Sequence, residues 1–137
     1  LIVKEYEGAY QAVRYLIEQG HREIGMLKEN TGYYQLEERF NGYRDALKDA
    51  GIPFKGRLVT SGNLTVPGGY RDARQLLQQQ EVTAIFCGND AMAIGCYQAI
   101  YEIGKQVPGD ISVVGFDNLN LTQYITPPLT TIEQRSF

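Results

Sequence analysis

Residues 83–90 read Thr83-Ala84-Ile85-Phe86-Cys87-Gly88-Asn89-Asp90. From Ala84 to Cys87 the run is continuously apolar, the pattern of a strand buried on both faces. Gly88-Asn89-Asp90 breaks that run and supplies the side chains that start a helix. The stripe that follows is Ala93, Ile94, Tyr97, Ile100 and Tyr101, spaced by three and four residues, and Gly104 stops it. An apolar strand that turns at once into an amphipathic helix is the building unit of a parallel α/β sheet.

The same unit recurs on both sides. Ala9, Ala12, Val13, Leu16 and Ile17 form a helical stripe within residues 8–20, closed by Gly20. A short apolar run at 23–28 reads as a strand. Leu36, Phe40, Tyr43, Leu47 and Ala50 fall on one helical face that ends at Gly51 and Pro53. A second short run at 57–60 enters the turn cluster Ser61-Gly62-Asn63. Pro67 suits the first turn of a third helix with the stripe Tyr70, Ala73, Leu76 and Leu77. Ile111-Ser112-Val113-Val114-Gly115-Phe116 is the last strong strand, and Pro127-Pro128 imposes extended backbone on residues 129–132. The order α-β-α-β-α-β-α-β predicts an open parallel sheet with helices on both faces.

The chain has 137 residues, 43% of them hydrophobic and 21% charged, a length and composition that support one domain with its own core. Its formal net charge is −3, from 13 basic and 16 acidic residues, which argues against this segment gripping a phosphate backbone. Cys87 and Cys96 make no disulfide framework and read as small buried hydrophobes. No run approaches a membrane span, and the opening residues carry no secretory leader. The chain starts inside an apolar run and closes at Phe137 without a terminator, so a fragment of a longer protein is expected.

In open α/β sheets, ligands sit in the crevice beyond the carboxyl ends of the strands. That rule selects the loops at 29–36, 61–67, 88–90 and 117–120. None contains a phosphate-binding glycine loop. The single histidine, His21, lies at the amino end of a strand, away from the crevice, and reads as a hydrogen-bonded brace. One histidine with no Cys/His spacing predicts no metal site, no cofactor is called for, and no nucleophile–base pair is present. Asn89, Asp90 and Asp117 directly follow strands. Two carboxylates there could hold magnesium or do acid–base work, but Asp90 reads first as a helix cap. Arg39, one turn into its helix, brings a planar fork of donors back toward the strand ends. An arginine, a carboxylate and an amide converging on a crevice suit a ligand dense in hydroxyls or ring nitrogens. Tyr33 and Tyr34 read either as stacking partners for a sugar or base face or as solvent-facing turn residues.

Five segments then resemble a known family. They are Gly20-His21-Arg22-Glu23-Ile24-Gly25, Arg39-Phe40-Asn41-Gly42-Tyr43, residues 83–95, residues 107–118 and Pro127-Pro128-Leu129-Thr130-Thr131-Ile132. In this order and spacing they resemble the lactose-repressor/galactose-repressor family of bacterial transcription regulators, from about Glu7 to Gln134. The resemblance implies a periplasmic-binding-protein-like effector-binding domain. It implies that residues 1–137 are mainly the carboxyl-side subdomain, at about 7–128, with crossover segments at 1–6 and 129–137. The DNA-binding head is then absent from this chain. Arg39, Asn89 and Asp117 carry over as effector ligands, and Tyr33, Gln35, Leu64 and Asp90 are secondary candidates. Leu64 stands where many members have an aromatic, and Lys4-Glu5 departs from the usual Asp-Asn.

The implied function is effector binding, with a sugar or related metabolite controlling operator binding through subdomain closure and dimer geometry in the cytoplasm. The alternative is a periplasmic sugar-binding protein of a transport system, which Pro-Pro-Leu-Thr-Thr-Ile fits less well. An enzyme is not expected. A two-fold operator implies a homodimer. Its candidate surface is Ile94 with Gln98 and Tyr101 on the helix after Asp90, and Leu121, Tyr124 and Ile125 beyond the last strong strand. Ile94, Tyr124 and Ile125 are the residues expected to be covered.

Overall fold

The computed structural model describes residues 2–30, 32–116 and 130–132, with side chains at 5–30, 32–34 and 36–116. Helix α1 spans Ile2–Glu18 and precedes strand β1, Ile24–Glu29. Helix α2 is Tyr34–Asp49. A short 3-10 turn at Gly56–Leu58 leads into β2, Val59–Gly62, and α3 follows at Val66–Gln79. Then come β3 at Ala84–Cys87, α4 at Asp90–Glu102, β4 at Ser112–Phe116 and β5 at Thr130–Ile132.

The five strands form one sheet in the order β2-β1-β3-β4-β5, and every pairing is parallel. The strand order changes direction between β1 and β3. That is the switch point at which the connections leave to opposite sides and open a crevice.

Strands β1, β3 and β4 divide their side chains between two cores, as the period of two demands. Ile24 and Met26 of β1, Ala84 and Phe86 of β3, and Val114 and Phe116 of β4 pack under α1 and α2. Leu27, Ile85, Cys87 and Val113 point the other way, under α3 and α4. The unbroken apolar runs in the sequence reflect this burial on both faces. Cys87 and Cys96 are free and buried, part of the second core.

Two local readings are corrected in detail. The first helix, read within residues 8–20, begins at Ile2, and Glu5 in its early turns has a buried partner on α2. Ser61 and Gly62, read as a turn, extend β2, since Lys28 and Glu29 pair with them in register. Residues 130–132, read as extended, are the fifth strand of the sheet.

The helix pairs approach closely through glycine. A Cβ on Gly42 of α2 would lie 2.5 Å from the Tyr6 carbonyl oxygen of α1. A Cβ on Gly95 of α4 would fall on the Val66 carbonyl oxygen and the Tyr70 amide of α3, and one on Gly69 would meet the Met92 backbone. These neighbours are backbone, so they cannot move aside as a side chain does. Across α1 and α2, Tyr6 donates to Asp45 Oδ2 at 2.5 Å, which pushes its phenol up to about 12, and Tyr10 donates to Asp49 Oδ2 at 2.5 Å. Tyr43 of α2 is fully buried and donates to the Ile24 carbonyl at 2.8 Å, tying the helix to β1.

His21 is the brace expected of it. Its Nδ1 lies 2.8 Å from Thr83 Oγ1 and its Nε2 3.1 Å from Ser112 Oγ, so one ring ties the amino ends of β3 and β4. Burial holds its pKa below the usual histidine value.

Two outcomes follow. Gly95→Ala forces α3 and α4 apart and lowers stability by about 2–3 kcal/mol in urea unfolding, with overpacking as the cause. For His21 the unfolded chain binds the proton more readily than the folded one. Stability from the neutral ring is therefore present above pH ~6.5 and is lost as pH falls from there toward the folded pKa. The urea midpoint falls between neutral and mildly acidic pH by less in His21→Asn than in the native chain, as parallel titrations at both pH values will show.

Candidate effector site

The carboxyl ends of β3 and β4 meet around Arg39. This residue sits in the second turn of α2, and α2 leaves β1 on the face covered by α1. The guanidinium is buried, with the residue 4% exposed. Its Nε donates to Glu5 Oε2 at 2.6 Å, and its Nη1 donates to the Gly88 carbonyl just past β3. Its Cζ lies 4.1 Å from the centroid of Phe116, the last residue of β4. One cation thus touches α1, the end of β3 and the end of β4. Phe116 is also the residue before Asp117.

Asn89 is the N-cap of α4. Its Oδ1 accepts from the Met92 amide at 2.9 Å, and its Nδ2 donates to the Leu64 carbonyl at 3.3 Å. A primary amide has two N–H donors and two lone pairs, so these bonds use half its capacity. Asn89 therefore holds the loop at 63–65 against the start of α4. The cap expected at Asp90 belongs to Asn89 instead. Asp90 is the first helical residue and is fully buried, where its carboxylate complements the helix dipole.

The other candidates divide. Leu64 is partly buried against the core under α3 and α4. Tyr33 precedes α2 and is 65% exposed, and Tyr34 is 57% exposed, which leaves both rings accessible at the rim. Ile94 is half-buried on α4, with Gln98 and Tyr101 exposed beyond it. Asp117, Tyr124, Ile125 and Leu121 lie outside the described residues, as does the side chain of Gln35. Arg39, Asn89 and Leu64 are thus all at the carboxyl end of the sheet.

Several residues of this site were not singled out in the sequence. Glu5 departs from the usual pattern, yet it is the buried partner of Arg39. Glu29 ends β1 with a carboxylate on a residue 3% exposed, in register with Gly62. A charged residue closing an apolar strand run was the available signal for Glu29. Lys28 bonds Glu37 at 3.0 Å in the first turn of α2 and lies 5.5 Å from the Phe40 centroid. Among the described residues, no group of three or more His, Cys, Asp or Glu is placed to hold a metal ion.

A doubly covered parallel sheet with polar groups gathered at its switch point defines a ligand-binding α/β subdomain of the periplasmic-binding-protein type. Residues 13–136 match the family of the periplasmic binding protein-like domain. The chain belongs to that family, in the form it takes in the effector-binding domains of lactose-repressor/galactose-repressor regulators. It is 45% identical over 139 residues to the HTH-type transcriptional repressor PurR of Photorhabdus laumondii, covering 98% of this chain and 40% of that repressor. The structure of the transcriptional regulator CelR in complex with cellobiose matches with a TM-score of 0.93 at 33% identity, over 96% of this chain and 40% of that one. A LacI-family regulator from Enterococcus faecium with bound ribose matches with a TM-score of 0.90 at 32% identity, over 96% and 49%. The chain therefore spans about 40% of the length of the curated repressor it matches. These relatives are regulators rather than enzymes.

The Arg39–Glu5 pair carries a stability prediction. Glu5→Gln removes a buried counter-charge from the guanidinium and costs about 3–5 kcal/mol. The double variant Glu5→Gln with Arg39→Met recovers more than half of that loss. A double-mutant cycle by urea unfolding measures the coupling.

Proposed function

We propose that this chain is the carboxyl-side subdomain of the effector-binding domain of a DNA-binding transcriptional repressor working in the cytoplasm. A small ring ligand bridges it to a second subdomain. The ligand biases their closure and so changes how a homodimer presents two DNA-binding heads to an operator. Arg39, Asn89 and Asp117 are the proposed effector ligands, with Tyr33, Gln35 and Leu64 at the rim. The proposed dimer surface contains Ile94, Tyr124 and Ile125. Among the described residues no helix is long and apolar enough to cross a membrane.

The observation that carries this reading is the position of Arg39. Its guanidinium reaches the ends of β3 and β4 at the switch point, beside an asparagine with donor and acceptor capacity left. Supporting it is the 45% identity to a transcriptional repressor over nearly the whole chain. Cellobiose and ribose are bound by two structural neighbours, which favours a sugar. The same donor set also suits the ring nitrogens of a nucleobase.

Asp117→Asn tests the reading in the full-length repressor. Cellobiose, ribose, other neutral sugars and nucleobases are titrated by calorimetry. At least one binds the native protein and shifts its operator affinity. The variant loses about 1.5–3 kcal/mol of that binding, the net value of a hydrogen bond to a charged group, while its thermal midpoint stays unchanged. Equal affinity in both proteins would remove Asp117 from the site.

A further inference from the structure

We propose that the amino end of the sheet carries a second binding site, a cavity beside His21 that takes a neutral aromatic molecule of one or two rings with a hydrogen-bonding substituent. It lies at the end of the strands opposite Arg39 and Asn89. The inference therefore goes beyond the effector reading and does not rest on it.

The cavity has a volume of about 360 Å³ and runs from the end of α1, past His21, to the start of β4. A dry apolar cavity of about 150 Å³ is enough for benzene, so this one has room for two fused rings. It sits where the two cores meet. Leu16 belongs to the core under α1 and α2, whereas Tyr97, Val107 and Val113 belong to the core under α3 and α4.

The lining selects the ligand. Leu16, Val107 and Val113 are buried and give apolar walls, while Tyr15 and Gln19 are exposed and stand at the mouth. Tyr15 and Tyr97 offer phenol rings, and aromatic rings attract one another beyond the area they bury. Among the described lining residues none bears a full charge while His21 is neutral, and burial holds that ring's pKa below its usual value. An ion buried there finds no counter-charge among them, which disfavours carboxylates and amines.

Tyr97 supplies the second, independent sign. The residue is 3% exposed, yet its hydroxyl has no hydrogen-bond partner among the described residues. Its ring is fixed edge-on to Tyr101, with centroids 6.0 Å apart. A buried phenol ordinarily finds a partner. The Ser112 hydroxyl lies 3.1 Å from His21 Nε2 and keeps hydrogen-bonding capacity beyond that contact, and the Gln19 amide adds a donor and an acceptor at the mouth. Three polar groups in an otherwise apolar cavity suit one substituent on a ring. A sugar would leave most of its hydroxyls unpaired against Leu16, Val107 and Val113, which costs binding.

The probes are indole, phenol and benzamide, with benzoate and benzylamine as charged controls at neutral pH. Each is titrated into the full-length protein by calorimetry and ligand-observed NMR. At least one neutral probe binds saturably, one per chain, with millimolar or tighter affinity, and both charged controls bind about tenfold more weakly or not at all. Tyr97→Phe removes a single oxygen and weakens that binding about fivefold. Gln19→Trp fills the exposed mouth and abolishes it, and this surface variant decides the matter where Tyr97→Phe fails to fold. Absence of saturable binding by all three neutral probes overturns the proposal, since the cavity is then taken up by water or by the protein itself. A charged control that binds as tightly as the neutral probes overturns it too. So does binding that survives Gln19→Trp unchanged, which places the probe elsewhere on the molecule.

Discussion

The buried contact of Arg39 with Glu5, the Gly88 carbonyl and the ring of Phe116 is the joint on which the carboxyl end of the molecule depends. A guanidinium removed from water needs a counter-charge and acceptors in fixed directions. Here α1 supplies the counter-charge, β3 the acceptor and β4 the aromatic face. The first helix is thereby tied to the far ends of two strands. The residues leading into the loops after β3 and β4 are positioned by the same contact.

Arg39 consequently holds the fold together at the proposed effector site. Under that proposal its variants lose stability and binding at once, so the two roles are separable only through partners that serve one of them. Asn89 has a similar double duty. It caps α4 and holds the Leu64 carbonyl, so any ligand that engages the remaining valences of its amide touches the start of α4 and the loop after β2. The opposite end of the sheet is braced by His21, whose ring links β3 to β4. One end of the sheet is thus pinned by neutral hydrogen bonds. The other is organised by charge.

The close helix crossings complete this arrangement. Gly42 lets α1 lie against α2, and Gly69 with Gly95 lets α3 lie against α4. Each pair then covers one face of the sheet, with the backbones in close approach at the glycines. The N-termini of α3 and α4, capped by Thr65 and Asn89, follow β2 and β3 at the carboxyl end of the sheet.

Much of this was legible in the sequence for simple reasons. Continuous apolar runs such as Ala84–Cys87 are required of strands covered on both sides, and stripes such as Ala9, Ala12, Val13 and Leu16 are required of helices that cover them. Strand-end position alone selected Asn89, and the position of Arg39 one turn into its helix selected it. The sequence by itself determined the layer architecture, the placing of Arg39 and Asn89 at the carboxyl end of the sheet and the bracing role of His21. Tertiary structure alone decided that Glu5 is the partner of Arg39, 34 residues away, and that Asn89 rather than Asp90 caps α4. It also decided that Glu29 is buried beside Gly62 and that the helices meet at glycine. Local periodicity reports which face of an element is apolar, because burial repeats with the pitch of the backbone. Which charge meets which depends on distances between elements far apart in the chain, and those distances exist only once the sheet has assembled.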